Sequence, residues 1–333
     1  MQLISPVTIF LELTNKCNLQ CVHCYNSSSL KGNSEWEYKD LVSILDEAEK
    51  QGVVSISISG GEPLIYNKLW TLLEYICNNT KLKITINTNG ILLSDGICKR
   101  LYSLGVSDIQ ISLDGLQNAH DFIRGIGNFN KSVNGIRNAI KNRIRVRIGF
   151  TANAKNYNEL ESLIKFAKEE GVSSTAVYRY VPSSNRDKDK QLALNAKNLL
   201  ELSYNLLEYD EQLSTKTFKI YYDSLTFFSF LIDKKNISKY LCLAGLGQLN
   251  LSFNKEVVLC PHYRVTLRNL HDKSLKALWS TQQKLRIKLE AIPSECQACK
   301  YHMICKGGCK GIISATYGGK ISKKDPACFI DFL

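Results

Sequence analysis

Six short β-branched runs, separated by amphipathic stretches, constrain this chain more than any other feature. "VTIFLELT", "VVSISIS", "LKITINT", "DIQISL", "RVRIGFT" and "STAVYRYV" fall between residues 6 and 182. Helical patterns such as "YKDLVSILDEAEKQG", "YNKLWTLLEYICNN" and "YNELESLIKFAKEEG" lie between them. Strands alternating with helices argue for a parallel α/β sheet or barrel. Six units in about 180 residues fit a partial (β/α)6 barrel, because a closed eight-unit barrel takes about 250. In such folds the functional residues gather where strands end. Those places read "TNKCNLQC" after the first strand, "GGEP" after the second, "NTNG" after the third and "DG" after the fourth.

Beyond residue 182 the pattern changes. Residues 183–241 read as a mainly helical, polar linker region opening on "PSSNRDKDKQ". Residues 242–333 read as a small second domain rich in cysteine. A chain of 333 residues has room for both cores.

Composition sets outer bounds. With 44% hydrophobic and 22% charged residues the chain is ordinary for a soluble globular protein. No window approaches eighteen apolar residues and the N-terminus lacks a basic, cleavable signal, so no membrane span is expected and the cytoplasm is. The net charge of +12 favours an acidic partner, but lysines in stretches such as residues 233–239 also reflect a Lys/Asn/Ile-rich composition. No RNA-binding module is recognisable, so nucleic acid is not the expected partner. Twelve cysteines in a reducing compartment point to metal rather than to disulfides. Only Cys77 and Cys98 stand apart from spaced groups, on outer helices where a buried, inert thiol is the default.

The first group, Cys17, Cys21 and Cys24, has the spacing C-x3-C-x2-C. A cubane iron–sulfur cluster takes one ligand per iron, so three thiolates leave one iron open. A zinc site completed by His23 is the alternative, and the place of His23 between Cys21 and Cys24 disfavours it.

"CNLQCVHC", with "GGEP" after the second strand, "NTNG" after the third and "ISLDG" after the fourth, resembles the radical S-adenosylmethionine (SAM) superfamily over residues 1–182. The resemblance implies that Cys17, Cys21 and Cys24 hold a [4Fe-4S] cluster whose fourth iron binds the SAM amine and carboxylate. It implies reductive cleavage of SAM to methionine and a 5′-deoxyadenosyl radical, with an electron donor such as flavodoxin or ferredoxin. The Gly60-Gly61 turn then offers carbonyls to the SAM ammonium, and Glu62 a carboxylate. His23 stands where the family commonly has an aromatic residue beside the adenine; a solvent-facing His23 is the alternative. Ser112, Asp114 and Arg124 resemble the segment that reaches the SAM carboxylate and ribose, against a purely structural turn at Asp114-Gly115. Asn87 and Asn89 are candidates to line the pocket, or turn residues.

The downstream cysteines run Cys242-x17-Cys260, then Cys296-x2-Cys299-x5-Cys305-x3-Cys309, then Cys328. From the residues alone, two zinc knuckles are the open alternative. The spacing resembles the SPASM extension of radical SAM enzymes. That resemblance implies two auxiliary [4Fe-4S] clusters, one on Cys242, Cys260 and Cys309, the other on Cys296, Cys299, Cys305 and Cys328. The glycine usual five positions before the second cysteine is Lys255 here, so Asn254 is expected to make the turn.

The expected reaction is oxidative cross-linking of a ribosomally made peptide. Epimerisation, formylglycine formation in a sulfatase, and action on a sugar or amino-acid derivative are the rival chemistries, and a metal-binding adaptor is the non-enzyme alternative. A winged-helix leader-binding module is not expected, since the first strand begins by about residue 6. Leader recognition, where the leader is acidic, falls to a separate protein or to the basic surface.

Overall fold

A computed structural model describes residues 3–182, 191–222, 242, 244–266 and 274–332. The stretch "PSSNRDKDKQ" and residues 233–239 lie almost wholly or wholly outside the described residues.

All six expected strands form: β1 Thr8–Glu12, β2 Ser55–Ser59, β3 Lys83–Thr88, β4 Asp108–Ser112, β5 Arg145–Ala152 and β6 Ser174–Arg179. Between them run α1 Tyr38–Lys50, α2 Leu69–Asn79, α3 Asp95–Ser103, α4 Gln117–Arg124, α5 Asn128–Lys141 and α6 Leu160–Glu169. Each helix buries one stripe. In α1 the buried residues are Leu41, Ile44, Leu45 and Ala48, the i, i+3, i+4, i+7 spacing of one helical face. These meet Ile9, Leu11, Ile56, Ile58, Ile84 and Ile86, which alternate along β1 to β3. Each such side chain removed from water contributes about 1.5–3 kcal/mol, which fixes the strand register.

The opposite alternation, Ser57, Asn87, Gln110, Thr151 and Tyr178, is polar and half-buried and makes the inner face of the curled sheet. Asn87 donates to Ser57 Oγ at 2.8 Å and Tyr178 donates to Gln110 Oε1 at 2.8 Å.

Among the described residues the sheet has eight parallel strands, not six. In the order β7-β6-β5-β4-β3-β2-β1-β8 it is a half-barrel extended at both edges by later chain. β7 (Lys219–Tyr221) and the helix α7 (Ala196–Leu213) come from the region read as a helical linker. β8 (Gln248–Leu251) comes from the cysteine-rich segment and pairs with β1. Both cover edges that would otherwise expose unpaired backbone.

The rest of that segment holds an antiparallel hairpin, β9 Val258–Cys260 and β10 Tyr263–Thr266, and the helices α8 Leu275–Glu290, α9 His302–Cys305 and α10 Lys310–Thr316. The buried Trp279 of α8 donates its indole N–H to Leu3 O at 2.9 Å, and Glu47 of α1 accepts from the Leu275 amide at 2.7 Å. No described helix is long and apolar enough to cross a membrane.

Candidate functional site

The loop after β1 carries Cys17, Cys21 and Cys24 and is zipped to the turn after β2. Gly61 donates its amide to Thr14 O at 2.6 Å and Glu62 to Lys16 O at 2.8 Å. A Cβ on Gly60 would lie 2.6 Å from Thr14 O, and one on Gly61 would collide with Lys16 O. The two glycines are therefore demanded by the cysteine loop's backbone.

Cys17 and Cys21 are buried and Cys24 half-buried, near enough that charge on Cys24 is felt by both buried thiols. Burial pushes Cys17 up to about 12 and Cys21 up to about 11, against the opposing pull of the Leu19 amide on the first and Arg124 on the second. Neither is a thiolate on its own near neutral pH, whereas a bound metal deprotonates a thiol outright. Among the described residues no three His, Cys, Asp or Glu groups converge on one metal ion. The ligands of a cubane each take a different iron, so the donor set fits a cluster.

Glu62 differs from expectation. It is fully buried, and its carboxylate accepts from the Leu64 amide at 3.2 Å, the Thr88 hydroxyl at 2.7 Å and the Asn89 amide at 2.9 Å. It pins the "NTNG" turn to the "GGEP" turn. One of its roughly four lone-pair sites is left for a ligand at most. Asn89 is also buried, bonding Asn18 Oδ1 in the cysteine loop at 2.8 Å, and it ties loops together instead of lining a pocket. Asn87 is likewise engaged, with Ser57 and Ile58 O.

Asp114 is the second departure. It has no exposed surface, and its Oδ2 accepts from His23 Nε2 at 2.8 Å and Arg124 Nε at 2.6 Å while Oδ1 accepts from the Thr151 amide at 2.8 Å. Burial alone would raise its pKa; Arg124 and His23 overcome that and hold it below the usual carboxylate range. Arg124 in turn reaches Cys21 Sγ at 3.9 Å. Asp114 thus positions His23 and Arg124 around the cysteine loop and has no face toward a ligand. His23 is not solvent-facing: its side chain is 7% exposed and stacks on Tyr180, centroids 6.4 Å apart. Ser112 ends β4 half-buried, on the polar inner face.

Four further residues complete the N-terminal site. Glu12, buried at the end of β1, receives both ends of the Arg264 guanidinium at 3.0 and 2.9 Å and the Tyr25 hydroxyl at 3.2 Å. Asn26 links Arg264 to the Gly60 carbonyl. Tyr25 and Asn26 directly follow Cys24, the one local signal that marked them.

The downstream cysteines lie close enough for several of them to feel one another's charge. Cys260 and Cys309 each feel Cys242, and Cys260 feels Cys309; Cys296 and Cys305 feel Cys328, and Cys296 also feels Cys299. Burial pushes Cys260 up to about 12 and Cys309 up to about 11. Asp325 binds this region together: it accepts the Cys309 amide at 3.1 Å and the Ala327 amide at 2.9 Å, and takes a two-pronged pair from Arg179 at the end of β6 at 3.0 and 2.8 Å. Arg179 adjoins Tyr180, so a buried ion pair joins the surroundings of Cys309 to the His23 side of the barrel.

The turn before Cys260 is corrected in detail. Lys255 itself adopts φ +62°, not Asn254, donating its amide to Ser252 O at 2.9 Å and placing Nζ 3.6 Å from Asp40. The lone thiols split: Cys98 is buried, and burial pushes it up to about 11, whereas Cys77 is exposed on α2.

Residues 11–188 match the model of the Radical SAM superfamily. The chain is 27% identical over 335 residues to mycofactocin maturase MftC of Mycobacterium tuberculosis, covering 97% of this chain and 83% of the relative. It is 26% identical over 341 residues to AdoMet-dependent heme synthase of Methanosarcina barkeri, covering 97% and 96%. The fold overlays Streptococcus suis SuiB bound to S-adenosylmethionine with a TM-score of 0.78 at 20% identity, covering 98% of this chain and 78% of that one. With its half-barrel sheet, its cysteine loop on the first strand and a family match over more than half its length, the chain belongs to the radical SAM superfamily.

Proposed function

We propose that this chain modifies a ribosomally synthesised peptide by oxidative cross-linking. In this reading Cys17, Cys21 and Cys24 hold the SAM-binding [4Fe-4S] cluster, and the two downstream cysteine groups hold the auxiliary clusters of a SPASM domain. When bound, SAM and the clusters supply a 5′-deoxyadenosyl radical that removes a substrate hydrogen atom and an acceptor for the electron that bond closure releases.

The observation that supports the reading is that Cys260 and Cys309 feel the charge of Cys242, and Cys309 that of Arg179 at the end of β6, while Cys296 and Cys305 feel Cys328. The chain's own contribution is positional. Asp114 orients His23 and Arg124, Glu62 locks two turns, and the polar inner face from Gln110 to Tyr178 offers hydrogen bonds to a peptide. The maturase name of MftC supports a peptide substrate, and SuiB has been crystallised with its precursor peptide SuiA.

A second reading has its own support. The relative named for haem synthesis spans nearly the whole chain, which favours modification of a small molecule. Anaerobic turnover in heavy water separates the peptide chemistries by mass spectrometry: a lasting loss of two hydrogens supports the cross-link, and deuterium gain without mass loss supports epimerisation. 5′-Deoxyadenosine formation with no altered candidate peptide, but with an altered tetrapyrrole or sugar, favours the second reading.

A further inference from the structure

The β9–β10 hairpin belongs to the cysteine-rich segment, yet it grips the N-terminal cysteine loop. It carries Cys260 in β9, His262 in the turn, and Arg264 in β10. His262 packs on Tyr25 with ring centroids 4.7 Å apart, and the Arg264 guanidinium lies over the Phe253 ring at 5.0 Å. The guanidinium makes its two-pronged pair with Glu12, which is 1% exposed, and donates to Asn26 Oδ1 at 2.6 Å.

That last bond fixes an amide. Arginine has only donors, so the oxygen of Asn26 must face it and the Asn26 NH2 must point the other way. There it donates to the Gly60 carbonyl at 3.2 Å. The sequence of contacts is therefore Glu12, Arg264, Asn26, Gly60, and every link has one orientation. Gly60 sits at φ +141°, and a Cβ there would lie 2.6 Å from Thr14 O, so no side chain can be added at this turn.

We propose that Arg264 is a positioning residue for the SAM-binding turn. Through Asn26 it sets the direction of the Gly60 carbonyl, and because it shares a hairpin with Cys260 it couples the first downstream cysteine group to the N-terminal site. The inference rests on the reading that SAM binds at the Gly60-Gly61 turn.

The test uses the full chain, reconstituted anaerobically with iron and sulfide and reduced with dithionite, without peptide. Formation of 5′-deoxyadenosine is followed against SAM concentration, and the electron paramagnetic resonance signal of the reduced protein is titrated with SAM. Loss of a charge-assisted hydrogen bond in the chain of contacts is worth about ten-fold. Arg264→Gln is expected to raise the KM for SAM about ten-fold with a smaller change in kcat, and to shift the spectroscopic titration equally. Asn26→Ala keeps the Glu12–Arg264 pair and so retains the fold. It should give the same shift, and the double variant should add nothing to either.

Unchanged KM and titration in Asn26→Ala, or additive effects in the double variant, overturn the proposal. Should Arg264→Gln not fold, Asn26→Ala alone decides. A wild-type chain that cleaves no SAM under these conditions instead overturns the reading on which the inference rests.

Discussion

The N-terminal and C-terminal cysteines solve the same problem in opposite ways. Cys17, Cys21 and Cys24 lie within one short loop, and that loop is clamped from four sides by the barrel: by Gly61 and Glu62, by Asn89, by Arg124 and by Glu12 through Tyr25. The seven downstream cysteines are spread from Cys242 to Cys328, and what gathers them is a few long-range contacts, chiefly Asp325 with Arg179. A site clamped by a well-packed fold should survive loss of its metal. A site whose ligands come from distant segments gains much of its order from the metal itself.

Iron removal should therefore separate the two regions most. Chelation is expected to leave amide protection in β1 to β6 and β8 largely intact while the β9–β10 hairpin and residues 294–332 become open to exchange and protease; uniform loss of protection would contradict this.

The next largest effect is at Asp325. Asp325→Ala strands the buried Arg179 and should cost about 3–5 kcal/mol, read as a lowered unfolding midpoint with early proteolysis near the downstream cysteines. On the N-terminal side Asp114→Asn weakens the hold on both His23 and Arg124. A loss of about 2–3 kcal/mol by denaturant titration is expected, with the downstream region unaffected.

A smaller, pH-dependent difference marks the barrel side. His120 is fully buried, and burial together with Arg124 pulls its pKa down to about 4. It is held neutral in the folded chain and takes a proton more readily when unfolded, at about 6.5. Its penalty is absent above pH 6.5 and grows as pH falls toward 4, reaching up to about 3 kcal/mol. His120→Gln should flatten the loss of thermal stability in that window, and identical acid profiles would contradict this. Smallest of all, Cys77→Ser at an exposed helix position should change stability by less than about 0.5 kcal/mol.

What could be read from the sequence follows the same division. The six strands and the cysteine loop are local patterns: period-two runs, amphipathic stretches between them and tight spacing. β7 and β8 are three and four residues long, too short for periodicity to register, and their places at the sheet edges depend on distant pairing. The roles of Glu62 and Asp114 as internal clamps were hidden because a carboxylate beside a turn reads alike whether it faces a ligand or the protein. Arg264 with Glu12, 252 residues apart, and Arg179 with Asp325, 146 apart, leave no trace in any local window. The positive φ at Lys255 was missed because side-chain preference favours asparagine, while the turn is closed by the backbone bond from residue 255 to Ser252 O, and the lysine side chain there reaches Asp40.

In the proposed reading the clamped loop and each downstream cysteine set hold one cubane cluster. Iron per chain, measured on anaerobically purified protein beside variants lacking each cysteine set, decides it. About twelve irons are expected in the wild type and about four fewer for each set replaced. About four irons with zinc in the downstream groups would contradict it.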